Sequence, residues 1–163
     1  MTFNNKQGEI LPKVKPAARR RSRRLLVQAL YQWQLARTPA QEILQQFHDE
    51  AGMTKVDVPY FNILLLQILD QLETLDALFK PYLDRDIKEL DPVSLSILRL
   101  STYELSQRID IPYVIVINEG VELAKVFGAT DSHKYINGVL DKLARKVRAL
   151  ECGASRSRGQ AAT

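Results

Sequence analysis

The residues of this chain best suited to chemistry are cationic and clustered. The segment KVKPAARRRSRR, residues 13–24, carries seven basic side chains and no acid. Guanidinium groups pair bidentately with phosphate, so such a block suits a phosphate backbone. On a helical wheel Arg20, Arg21, Arg24, Gln28 and Tyr31 lie opposite a stripe of Leu26, Leu30 and Trp33. That face would interleave guanidinium groups with an amide and a ring, and a ring offers a nucleic-acid base about 1–3 kcal/mol of stacking. A solubilising or targeting charge run is the competing reading. The last apolar-periodic segment repeats the combination, with Tyr135 on the flank of Lys142 and Lys146 and with Lys134 and Arg145 further round. Tyr135 reads equally well as an edge of the core. Charge interleaved with aromatics, without a fold that reads base pairs, points to single-stranded RNA over duplex DNA.

Groups for catalysis or metal binding are sparse. The chain has two histidines, His48 and His133, and one cysteine, Cys152. None forms a zinc-ligand spacing, and no glycine-rich phosphate loop occurs. Asp131-Ser132-His133 holds the letters of a catalytic triad, but neighbours on one helical turn point in different directions. Asp131 or Ser132 is expected to cap a helix instead. The pairs Asp84/Asp86 and Glu119/Glu122 read as solvated helix faces. The expectation is a protein that is not an enzyme and uses no cofactor or metal.

The 163 residues suit one domain, and 45% apolar content is enough for a sizeable core. A single Cys excludes a disulfide scaffold and suits a reducing cytosol, so a cytoplasmic location is expected. No apolar run approaches membrane-spanning length, and no secretory leader is expected. The net charge of +4 conceals a division. Residues 1–24 have eight basic groups and one acid, a net +7; residues 25–141 have nine basic and seventeen acidic groups, a net −8; residues 142–163 come to +5. An acidic middle, densest from Asp70 to Asp91, is usually a soluble face, yet it could also hold a basic protein partner.

The elements that must position these groups are helical nearly throughout. Residues 1–16 read as a flexible basic lead-in, 17–150 as a single helical RNA-binding domain, and 151–163 as a disordered tail. The first helix carries Leu26, Ala29, Leu30, Trp33 and Ala36. Pro39 opens a short helix with Ile43, Leu44 and Phe47. Asp57 caps a long third helix that runs to about Pro81. Asp91-Pro92 starts another, with Leu95, Leu98, Thr102 and Leu105 on one face. Asp110 and Pro112 open the next, which shows two stripes, Val114/Ile117/Val121/Ala124 and Val116/Leu123/Phe127. Gly128 would end it in a left-handed conformation. The last helix carries Ile136, Leu140, Leu143, Val147 and Leu150.

Four blocks in order, PAARRRSRRLLVQALYQWQL, KPYLDRDIKEL, ILRLSTYEL and DIPYVIVINEGVELAKVFGATDSHKYINGVLDKLA, resemble the NusB family of bacterial transcription antitermination factors. The resemblance covers about residues 16–148. It implies an all-α fold of about seven helices in two packed three-helix bundles, without catalytic activity. It further implies a heterodimer with NusE, a protein of the small ribosomal subunit, that binds boxA of nascent ribosomal RNA and joins other Nus factors on RNA polymerase. By resemblance the Arg-rich helix start meets RNA, which singles out Lys15, Arg19, Arg20, Arg21 and Arg23; Arg24 and Gln28 join them from the wheel. The DSHKY block adds Asp131, Lys134 and Tyr135. The second and third blocks resemble the NusE-facing side, which brings in Tyr82, Arg85, Glu89, Arg99 and Tyr103, while Tyr31 serves either surface. NusE is basic, which gives the acidic middle a purpose. Homodimers that hide the RNA face also belong to what the resemblance allows.

Some features depart from the family pattern. Residues precede Pro16 and follow the last block. Gly120 stands where the family commonly has Ala, at a cost of roughly 1 kcal/mol unless close packing requires it. Lys88 and Ser94 replace acids that some members place on the partner face. A targeting module of the kind fused to ribosomal RNA methyltransferases is the other RNA-directed reading; the chain holds no cofactor-binding αβ region to favour it.

Overall fold

Helices form wherever apolar residues recur at three- and four-residue spacing behind a start signal. In the computed structural model, which describes residues 2–4, 10–12, 15–50 and 52–153, these give seven α-helices. Helix α1 (Pro16–Ala36) begins on a proline that has no N–H to leave unpaired, and ends at Arg37 in the left-handed region. Helix α2 (Ala40–Glu50) follows Pro39, whose carbonyl accepts from the Ile43 N–H. Asp57 caps α3 (Val58–Asp70), its Oδ1 accepting from the Tyr60 N–H at 3.3 Å. Asp91 does the same for α5 (Pro92–Gln107), accepting from the Ser94 N–H at 2.8 Å. Helices α6 (Tyr113–Phe127) and α7 (Ser132–Val147) follow. In the lead-in, Thr2–Asn4 (β1) and Ile10–Pro12 (β2) pair antiparallel, with Phe3 opposite Leu11. Nothing in their aperiodic sequence announces that ladder.

The expected long third helix is two helices. A break at Gln71 (φ −120°, ψ 24°) separates α3 from α4 (Leu72–Phe79). The apolar period continues across it, with Ile68 and Leu75 both fully buried, so the spacing alone gives no sign of the turn. The turn redirects the chain: α3 packs with α1 and α2, whereas α4 packs on α5 and α7. Helices α1–α3 form one bundle and α5–α7 the other, joined chiefly by α1 against α5. Helix α5 is therefore covered on nearly all sides; Ile97, Leu98, Leu100 and Leu105 are fully buried, and so are Ser96 and Thr102.

The seam between the bundles is polar at its centre. Arg23 of α1 is 4% exposed and meets Glu104 of α5 (1%) through both Nε and Nη2, at 3.0 and 2.9 Å. The Tyr60 hydroxyl of α3 donates to the same carboxylate. Burial opposes the Arg23 charge, but Glu104 outweighs it and holds the guanidinium pKa above its ordinary value. Burial and then the neighbouring carboxylate push the Tyr60 hydroxyl well up, so it stays a donor. Arg148, after α7, completes the seam by donating to the carbonyls of Leu105 (2.7 Å) and Arg108 (2.9 Å) at the α5 C-terminus.

Several helix ends differ from the sequence expectation, each because a distant residue does the work. Asp110 does not cap α6; it pairs with Arg108 at 2.9 Å, and the Tyr113 N–H donates to Glu151 at 2.9 Å instead. Glu151 and Cys152, expected in the tail, belong to a last helical turn over residues 149–153, with Cys152 buried. Residues 154–163 of that expected tail lie outside the described residues. Gly128 is extended (φ −87°, ψ 170°), not left-handed; a Cβ there would lie 2.2 Å from Ser132 Oγ and 2.7 Å from the Ala124 carbonyl. The left-handed residue is Asp131 (φ 67°), which turns its carboxylate away from the α7 amides and towards Lys134 at 3.4 Å, so neither it nor Ser132 caps the helix. Gly120 answers to packing: a Cβ would sit 2.8 Å from Ser101 Oγ and 3.0 Å from Leu140 Cδ1, where α6 crosses α5 and α7. Ala36, Val114 and Leu150, placed on apolar stripes by spacing, are exposed because each lies at a helix end beyond its neighbour's reach.

Two outcomes follow from these interactions. Arg23→Ala strands a buried carboxylate and lowers stability by about 3–5 kcal/mol in chemical denaturation, whereas the double change Arg23→Met/Glu104→Met recovers most of the loss. Glu151 has a carboxyl pKa below its ordinary 4.5: burial opposes ionisation, but the Tyr113 N–H and then Arg148 outweigh it. A depressed acid stabilises above its unfolded pKa and loses that contribution as pH falls through its folded value. Glu151→Gln therefore lowers the melting temperature at pH 7 and flattens its decline below about pH 4.5.

Candidate nucleic-acid interface

The arginines of α1 are sorted by helix geometry. At roughly 100° per residue, Arg19 and Arg23 fall on the Leu26/Leu30 side, whereas Arg20, Arg24, Tyr31, Gln28 and Arg21 fan across the other. The five residues of that second group are exposed, as is Lys15 ahead of the helix. Arg21 donates weakly to the Lys55 carbonyl, 3.4 Å away. Lys55 itself is exposed beside Arg21 and Lys15, on a groove between α1 and the turn before α3. Lys55 was invisible to sequence reasoning, because one lysine between two helices carries no pattern.

Two of the expected RNA-binding residues are structural. Arg23 is enclosed by Glu104 and Tyr60 and cannot reach a ligand. Its position three residues before Leu26 and seven before Leu30 was the available sign. Arg19 is half-buried; it pairs with Asp57 at 3.3 Å and lies 4.3 Å over the Tyr60 ring. The exposed set has one internal counter-charge that sequence reasoning missed: Arg20 Nε donates to Glu119 of α6 at 2.9 Å. Arg24 lines the same α1–α6 groove and, among the described residues, has no ion-pair partner.

Beyond Gln28 the exposed face becomes apolar. Tyr31, Leu35, Phe47, Val93 and Phe127 line an open groove of about 630 Å³ where α1, α2, α5 and α6 meet. Tyr31 is 38% exposed, so its ring is available at the groove wall.

The remaining expected residues form a second group. Asp131 and Lys134 are exposed and paired with each other. Tyr135 is half-buried, and Arg85 lies 4.5 Å over its ring. Arg85 also pairs with Asp84 at 2.7 Å, and that bond holds the Asp84 carboxyl below its ordinary pKa. Residues expected on the RNA side and on the partner side thus touch directly. Glu89 is exposed and Tyr82 half-buried nearby in the chain. Arg99 is already engaged, pairing bidentately with Asp76 at 2.9 and 2.8 Å. Tyr103 is 5% exposed and belongs to the core, which removes it from the partner surface. Among the described residues no hydrogen bond or ion pair joins this group to the α1 arginines. Among the same residues no His, Cys, Asp and Glu cluster could hold a metal, and no helix is long and apolar enough to cross a membrane.

Residues 20–145 match the model of the NusB family. The transcription antitermination protein NusB of Alcanivorax borkumensis is 54% identical over 143 residues, covering 88% of this chain and 95% of that protein. That of Pectobacterium carotovorum is 53% identical, over 83% and 97%. Among solved structures, T. maritima NusB superposes with a TM-score of 0.73 at 32% identity, covering 82% of this chain and 94% of that one. The antitermination factors NusB and NusE in complex with dsRNA match with a TM-score of 0.71 at 22% identity, over 80% and 98%, a likeness of fold.

The division between engaged and free arginines is measurable without a ligand. Arg19→Ala costs about 1 kcal/mol by removing the ion pair with Asp57 and the stacking on Tyr60, whereas Arg21→Ala and Arg24→Ala stay within about 0.5 kcal/mol of the parent in thermal melts.

Proposed function

The chain belongs to the NusB family, and from that membership we propose that it is a non-enzymatic, cytoplasmic transcription antitermination factor. It binds the boxA element of nascent ribosomal RNA as a heterodimer with NusE and joins the other Nus factors on RNA polymerase. The observation that carries this reading is the one-sided face of α1. Arg20, Arg21 and Arg24 project to solvent with Lys15 and Lys55 beside them, and Gln28 and Tyr31 continue the face. Phosphate pairing by the guanidinium groups supplies affinity and register, and the amide and ring interact with bases.

The stacking of Arg85 on Tyr135 supports a composite site. The segment assigned to the partner meets the segment assigned to RNA at this contact, so a basic protein on the acidic 84–91 stretch would add positive charge beside Tyr135. Tyr82, Arg85 and Glu89 remain the partner-facing residues of this reading; Arg99 acts there only by way of Asp76.

A gel-shift titration with boxA RNA, with and without NusE, tests the proposal. The expected result is binding that tightens on adding NusE. Arg20→Ala/Arg21→Ala weakens it and reduces the slope of log affinity against log salt by about 0.7 for each phosphate no longer neutralised. An unchanged slope would remove α1 from the RNA, and no gain with NusE would remove the heterodimer.

A further inference from the structure

Glu119 stands against the cationic face of α1, and its geometry is that of a stand-in ligand. Its Oε1 lies 2.9 Å from Arg20 Nε, and its side chain is 16% exposed while that of Arg20 is 62% exposed. The carboxylate is mostly covered in the α1–α6 groove, and Arg20 is its neighbour on the solvent side. Arg20 and Glu119 stand where two grooves meet: one continues along Arg24, Glu122 and Leu123, the other along Asp110, Pro112 and Ile115. Among the described residues Arg21 and Arg24 have no carboxylate partner. Glu122, one turn on, is 64% exposed and is taken up by Lys125 at 3.3 Å.

On the reading that α1 binds RNA, we propose that Glu119 is a specificity-determining residue. It occupies Arg20 in the free protein in the manner of a phosphate oxygen. An RNA phosphate takes the Arg20 Nε only by displacing it, and otherwise shares the guanidinium with the carboxylate. The cost of the exchange falls on an RNA in proportion to how much it depends on Arg20. An RNA whose bases engage Gln28 and Tyr31 draws less of its affinity from Arg20 than one held by phosphates alone. Glu119 thereby lowers affinity for arbitrary RNA more than for the cognate element. It also makes the salt slope shallower, because the freed carboxylate takes up a cation as the RNA releases its own.

Glu119→Gln keeps the shape and removes the charge. In fluorescence-anisotropy titrations of the full chain, boxA and scrambled RNA are compared across a salt series. The expected result is a gain of about threefold or more on scrambled RNA, the scale of one neighbouring charge at short range in water. The gain on boxA is smaller, and the salt slope steepens. Glu122→Gln, which removes an equal charge already engaged by Lys125, gains less. In an Arg20→Ala background Glu119→Gln gains nothing further. Equal gains from the two glutamine variants, or a gain that persists without Arg20, would overturn the proposal and leave only net charge. No change from Glu119→Gln while the parent binds boxA would overturn it as well. Failure of the parent to bind any RNA would instead overturn the function on which it rests.

Discussion

One buried ion pair sets the frame. Arg23 and Glu104 meet at the seam of the two bundles, with Tyr60 donating to the same carboxylate and Arg148 holding the carbonyls beside it. Four elements converge there, from α1, α3, α5 and the turn after α7. A charge so enclosed is tolerated only when every partner is in place, so the cluster constrains both the rotation of α1 and its height against α5. With Arg23 turned inward, Arg20, Arg21 and Arg24 can only turn outward. The exposed cationic face follows from the buried pair.

The arginine block accordingly performs three tasks that its composition does not distinguish. Arg23 joins the bundles, Arg19 fastens α1 to the α3 cap through Asp57 and the Tyr60 ring, and Arg20, Arg21 and Arg24 face solvent. The acids divide in the same way. Glu104, Asp57 and Asp76 are committed to internal partners, Asp91 caps a helix, and Glu119 pairs with Arg20. Asp70 and Glu73 remain on the surface beyond these commitments, as do Asp84, Asp86 and Glu89, which are interleaved with Arg85 and Lys88.

Helix starts marked by local chemistry were legible residue by residue. Asp57 and Asp91 lie beside the amides they cap, and prolines at the first helical positions need no partner. Ends made by distant residues were not. Glu151 satisfies an amide 38 positions away, and the break at Gln71 leaves the apolar period intact. Gly128 was read for its conformational freedom, yet its place is set by the approach of Ser132. Tyr103 and Tyr82 looked alike in the partner blocks; only the covering of α5 makes one a core residue.

The class of fold, the family, the cationic face on the first helix, and the division into basic ends and an acidic middle are legible in the linear order of residues. These depend on spacing, order and charge, which are properties of a line. Which arginines are free, that Glu119 stands against Arg20, that Lys55 joins the face, and that Arg85 meets Tyr135 are settled only when the chain folds. Each of those facts is a distance between residues far apart in the chain. A charge is available to a ligand only when no opposite charge has been folded against it.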